Sequence, residues 1–152
     1  MARIEGLDEV TKKLKQLADN KVVKRLARRA GRQAMNLVRD VARTNAKVID
    51  DPETKEMIHK NIVTQGGKSR SINEIRVRVG VRGGAGRNQY SLSTASLSGG
   101  DTRHWRFIEF GTSNIPAVPF MRPALANNIV QVTNKFVQVF DADLTKTLRE
   151  LS

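Results

Sequence analysis

Residues 74–82 read EIRVRVGVR, and in them the apolar period drops to two. Ile75, Val77, Val79 and Val81 alternate with Arg76, Arg78, Gly80 and Arg82, the pattern of a strand that buries one face and charges the other. On both sides the period returns to that of a helix. Upstream, Val23, Leu26, Ala30, Ala34, Leu37 and Val41 share one arc at about 100° per residue, which predicts a helix over 21–46 about 40 Å long. Lys21, Lys24, Arg25, Arg28, Arg32, Arg39 and Arg43 share the opposite arc. Downstream, Leu125, Ile129, Val132, Phe136, Phe140, Leu144 and Leu148 recur at three and four residues. That stripe predicts one long C-terminal helix, opened near Arg122-Pro123, with its apolar side on a sheet. A strand between helical segments makes the chain α+β.

The remaining elements are read from local signals. Leu7, Val10, Leu14 and Leu17 predict a short amphipathic helix ending near Asp19-Asn20. Asp50-Asp51-Pro52-Glu53 reads as a helix start, and the helix over about 52–62 would bury Met57, Ile58 and Ile62 before Gln65-Gly66-Gly67 ends it. His104–Phe110, HWRFIEF, reads as a second strand antiparallel to the first, broken by Gly111-Thr112. Residues 83–103, rich in Gly and Ser, read as a long hairpin arm or loop. Arg87, Tyr90, Leu92 and Leu97 are its candidate contacts to a neighbouring subunit. At 152 residues the chain has the length of one domain, 1–152.

Composition narrows the function classes. The chain has no Cys, which excludes a disulfide framework, a thiolate metal site and a cysteine nucleophile. Two His, His59 and His104, sit in no arrangement that reads as a triad and leave a zinc site to carboxylates. Capping accounts for Asp50, Asp51 and Glu53, while Asp141 and Asp143 read as an exposed acidic helix face. Gly83-Gly84-Ala85-Gly86 lacks the Lys-Ser/Thr of a phosphate-binding loop. An enzyme, a cofactor and a bound metal are therefore not expected. No apolar run approaches the length of a membrane span and no signal-peptide core opens the chain, so a soluble intracellular product, or part of something assembled in the cytoplasm, is expected.

The formal charge of +12, from 27 Lys+Arg against 15 Asp+Glu, is concentrated. Residues 21–47 carry net +8 and residues 68–106 net +6, whereas 1–20 and 107–152 are neutral and 48–67 is net −2. Two surfaces thus hold the excess: the ridge of the long helix and the Arg76/Arg78/Arg82 face. Either could meet nucleic-acid phosphates, remain solvated, or dock on an acidic neighbouring subunit. No zinc finger, RNP-type aromatic pair or homeodomain pattern supports sequence-specific readout.

Residues 105–125, WRFIEFGTSNIPAVPFMRPAL, combine Glu109-Phe110-Gly111-Thr112 with a Pro-stiffened link into Pro119-Phe120-Met121-Arg122-Pro123-Ala124. In physical terms Gly111 permits a turn, Pro116, Pro119 and Pro123 set direction, Phe120 is a candidate anchor, and Glu109 can pair with Arg122. The stretch resembles the phage neck / minor tail component family of lambda-like tailed phages, with its Glu-Phe-Gly-Thr, linker and Pro-Phe-x-Arg-Pro-Ala pattern. Where many members read Thr-Gly-x-Leu-x-x-Ser-Ile, Thr54–Ile62 keeps the final Ile but not the Gly or Leu. The resemblance implies a virion structural protein of head–tail joining or tail completion. It further implies a ring of the tail's symmetry, hexameric or dodecameric, between connector (stopper) and tail terminator or tail tube proteins, with genomic DNA passing through. The competing expectation is a non-enzymatic, sequence-nonspecific nucleic-acid-binding accessory protein.

Overall fold

The computed structural model describes Lys12, Lys15 and residues 21–71, 74–82 and 97–150. Lys12 and Lys15 are helical; the rest of the N-terminal amphipathic segment, and Arg87, Tyr90 and Leu92 of the expected arm, lie outside the described residues.

Helix α1, Lys21–Ile49, is the axis of the molecule, about 44 Å long at 1.5 Å per residue. Its buried residues are Leu26, Ala30, Gly31, Ala34, Val38, Ala42 and Ala46. Five of these seven are Ala or Gly, so what packs on this face can come close to the helix backbone, as Val77 does at Gly31. After it come the one-turn α2 (Ile58–Asn61), strands β1 (Ile62–Gly67) and β2 (Arg76–Val81), and α3 (Trp105–Phe110). Helices α4 (Arg122–Ala126) and α5 (Ile129–Glu150) complete the order. The α+β class holds: a long basic helix, a two-stranded antiparallel sheet and a long C-terminal helix.

The strand at β2 forms as its alternation predicts, but its partner is a different segment. β1 pairs with it antiparallel, from Ile62 opposite Val81 to Gly67 opposite Arg76. The expected helix over 52–62 is instead a turn, one helical turn and the start of this strand. Ile62, Val63 and Thr64 are three β-branched residues in a row, stiff at χ1 and suited to a pleated surface. Asp50 does cap, though eight residues on: its carboxylate accepts the N–H groups of Ile58 (2.8 Å) and His59 (3.0 Å). Ile58 and Ile62 are buried, as expected, because one turn plus one step also returns them to the core.

HWRFIEF is likewise not a strand. Residues 105–110 form α3, with Trp105 and Ile108 packed on the core and Glu109 buried, an i, i+3, i+4 face. A strand would have set Glu109 beside Trp105 and Phe107; the helix instead sends Phe107 and Phe110 outward, about 60% exposed each. Residues 97–103 just before it, the described end of the expected 83–103 arm, are docked. Met57 N donates to Gly99 O (2.8 Å), and buried Asn61 bonds Gly99 N, Gly100 O and the Thr102 hydroxyl. Leu97 is half-buried in this docked stretch.

The C-terminal stripe is split into two helices. The Asn128 carbonyl accepts the Val132 N–H and starts α5 afresh, while its side-chain amide donates back to the Ala124 carbonyl at 2.8 Å. α5 packs chiefly along α1, while the sheet packs on α1 separately, so the stripe meets the helix rather than the sheet. Val132, Phe136, Phe140, Leu144 and Leu148 are half-buried, but Leu125 and Ile129 are exposed. Asp143 is not on an exposed acidic face: it lies 3.6 Å from Arg29 Nε and ties α5 to α1.

The core proper joins Val38, Ala42 and Ala46 to Ile58, Ile62, Val81, Phe120 and Ala124. At Gly31 the sheet comes so near that an added Cβ would stand 2.9 Å from Val77 Cγ2. Val77 is β-branched and cannot swing aside freely. Gly31→Leu should therefore lower stability by about 1–3 kcal/mol, the cost of overpacking, despite Leu's better helix propensity. A urea titration should show a lower midpoint at unchanged slope.

Candidate functional site

The best-defined constellation in the described residues is the turn between α3 and α4. Gly111 ends α3 at φ 72°, a left-handed value that disfavours side chains, and an added Cβ would meet Ala117 N at 2.8 Å. The chain then folds back: Thr112 N donates to Ile115 O and Val118 N to Ile108 O, both at 2.8 Å. The second bond satisfies a carbonyl that the helix end would leave open.

Glu109 organises the entry into α4. One carboxylate oxygen accepts the N–H groups of Phe120 (2.7 Å) and Met121 (2.9 Å). The other accepts Arg122 N (2.9 Å) and Arg122 Nε (3.2 Å). Arg122 also donates through Nη2 to the Glu109 carbonyl at 2.7 Å, and its guanidinium lies 5.0 Å from the centroid of the Phe110 ring. Three consecutive backbone donors are thus held by one buried carboxylate. Phe120, fully buried, is locked into the core beneath it, and Asn45 of α1 donates to its carbonyl at 3.3 Å. Thr112 caps the turn through its hydroxyl, accepting Ile115 N at 3.0 Å; Pro119 is exposed and Pro123 lies in the first turn of α4.

The basic residues fall into three situations. Lys21, Arg25, Arg28 and Arg32 are exposed on α1 and Lys24 is half-buried. Arg39 pairs with Asp40 at 2.9 Å, while Arg43 turns inward and donates twice to the Ile62 carbonyl, at 2.9 and 2.7 Å. On β2, Arg76 pairs with Glu74 at 2.7 Å. Arg78 and Arg82 are exposed and, with Trp105, Phe110, Met121 and Arg122, line a shallow pocket of about 300 Å³ beside the turn. The structure therefore joins two groups that the sequence keeps apart: the strand arginines and the turn motif.

One pairing has no sequence signal. His59 Nδ1 stands 2.6 Å from Asp50 Oδ2, and Asp50 is almost wholly buried. Ser98 lines a groove with His59, Lys60, Arg43 and Lys47, but its hydroxyl donates to the Lys60 carbonyl (3.1 Å) rather than to the His59 ring. Asp50 and His59 are nine residues apart across a turn, a spacing that no helical or strand period links. Among the described residues no three His, Asp or Glu side chains gather where they could hold a metal ion, and no helix is long and apolar enough to cross a membrane.

A long two-faced helix, a strand pair and a carboxylate-held turn with exposed aromatics and arginines define a scaffold that presents surfaces. The chain belongs to the HK97-gp10-like family, described as "Bacteriophage HK97-gp10, putative tail-component", whose model matches residues 8–111, more than half of its length. That membership puts it among phage tail components, structural proteins of the virion. No curated protein and no solved structure matches the chain. The match includes Glu109 and Gly111 but stops short of Phe120 and Arg122, with which Glu109 bonds.

Burial alone would raise the pKa of Glu109, but the N–H groups of Met121, Arg122 and Phe120, with the Arg122 side chain, more than offset it and hold the carboxyl below the usual range. A depressed folded-state pKa stabilises at pH above the unfolded value, near 4.3, and the gain is lost as pH falls through the folded value. Glu109→Gln should place an amide NH₂ against backbone donors and cost about 2–4 kcal/mol at neutral pH. Acid titrations of thermal stability should show the wild type losing ground below about pH 4 and the variant much less of that loss.

Proposed function

We propose that this protein is a neck subunit of a tailed phage, a head–tail joining or tail-completion component that assembles as a ring between the connector and the tail terminator. Its membership in a phage tail-component family carries the reading. The surface supports it. Phe107, Phe110, Ile115 and Val118 are each more than half exposed around the turn, an apolar patch suited to subunit contact. The arginines of α1 and β2 form separate cationic surfaces, suited to a channel that DNA crosses. In this reading the protein is non-enzymatic and its partners are copies of itself, the connector or stopper, the terminator or tube, and the genome.

The same charge favours a second reading, a free accessory protein that binds nucleic acid without sequence preference. Assembly separates the two. Mixed with purified connector and terminator proteins, the chain should move in size-exclusion with light scattering as part of a ring-sized complex. A chain that stays monomeric or dimeric beside those partners, yet binds DNA, supports the accessory reading. Phe107→Ala, at an exposed position of the same patch, should leave the monomer's stability within about 0.5 kcal/mol and weaken ring formation.

A further inference from the structure

We propose that the groove between the C-terminal half of α1 and α2 is a phosphodiester-binding site, the place where the protein grips the DNA backbone. The inference rests on the reading that the basic surface faces DNA. The groove, about 530 Å³, is lined by Arg43, Lys47, His59 and Lys60, with Thr44 and Ser98. One carboxylate, Asp40, also lines it, and Arg39 holds that carboxylate at 2.9 Å. Asp50, behind His59, is committed to two backbone N–H groups and the imidazole. Both hydroxyls donate to backbone carbonyls, Thr44 to Asp40 and Ser98 to Lys60. The ammonium groups of Lys47 and Lys60 therefore remain as the groove's working cations: both residues are exposed, and neither is in an ion pair among the described residues.

Two features favour a nucleic-acid backbone over an acidic protein. The groove continues the ridge of α1, where Arg25, Arg28, Arg32, Arg39, Arg43 and Lys47 succeed one another at steps of three, four and seven residues. Over those residues the helix rises about 33 Å, close to the ~34 Å of one DNA turn. Arg25, Arg28, Arg32 and Lys47 are exposed along that line, a row long enough to follow one turn of a polyanionic backbone. Second, Arg43 is fixed by its two bonds to the Ile62 carbonyl, so the floor of the groove is preformed.

The test is fluorescence anisotropy with a 20-bp duplex of arbitrary sequence, titrated at several salt concentrations. Lys47→Ala/Lys60→Ala should weaken binding by about ten-fold and make the slope of log affinity against log salt shallower by about two, one for each lost phosphate contact. Lys135→Ala/Lys146→Ala on α5, the same change of charge at exposed positions, should leave both unchanged. Circular dichroism should match the wild type in each case. If the groove variant binds like the wild type while Arg25→Ala/Arg28→Ala weakens binding, the groove is overturned and the DNA-facing reading survives. If the wild type binds no duplex even near 10⁻⁴ M, about the weak limit of nonspecific binding, both fail. Competition by polyglutamate as strong as by DNA at equal charge overturns the proposal in favour of an acidic protein partner.

Discussion

The small-residue face of α1 is the constraint on which the other elements depend. Ala30, Gly31, Ala34, Ala42 and Ala46 put little side chain between this helix and what lies on it, with Leu26 and Val38 as the larger residues of the face. The sheet reaches it at Gly31, α5 runs along it, and the docked turn approaches it at Asn45. Dispersion and apolar burial are short-ranged, so a backbone that can be approached closely gathers more contact than one screened by long side chains. A helix that serves both the sheet and a second helix commits a wide arc to the core. The remaining arc must stay wet, and it carries the arginine and lysine ridge. The net +8 of residues 21–47 is thus tied to architecture: the element that holds the fold together also displays the larger of the two concentrations of net positive charge.

Glu109 is the second device. A carboxylate buried in an apolar setting is costly unless its lone pairs are filled, and here three backbone N–H groups and a guanidinium fill them. The result is a rigid link between the core and the C-terminal helices, with aromatic side chains displaced to the outside. For a phage tail component this is a useful arrangement, since subunit contacts need preformed surfaces more than mobile ones.

Much of this was legible in the residues. The period of α1 and of β2 was plain because each repeats its signal over many residues or with strict alternation. Phe120 as anchor and the Glu109–Arg122 pairing came from a lone acid and a lone base set around a proline-stiffened turn. Three segments misled for identifiable reasons. HWRFIEF is short and aromatic, and its helical face is completed by Glu109, a residue whose burial depends on donors eleven to thirteen positions away. Residues 52–62 carry a cap whose beneficiaries stand eight residues later. The C-terminal stripe runs unbroken through Asn127-Asn128 in apolar spacing, although the backbone restarts there. The groove at Lys47 and Lys60 has no sequence signal, because its lining comes from α1, α2 and the docked stretch at Ser98, three segments that only the fold brings together.

In the proposed reading, α1 buries one face in the core and turns its opposite, cationic face toward DNA within a phage neck. Electron cryo-microscopy of the assembled neck, at a resolution that traces helices and bulky side chains, tests it directly. The expected map has α1 near the channel wall, with Arg25, Arg28, Arg32 and Lys47 directed into the lumen and the turn around Phe110 buried against an adjacent subunit. A ring in which that ridge points away from the lumen and packs on acidic faces of neighbouring proteins would contradict it.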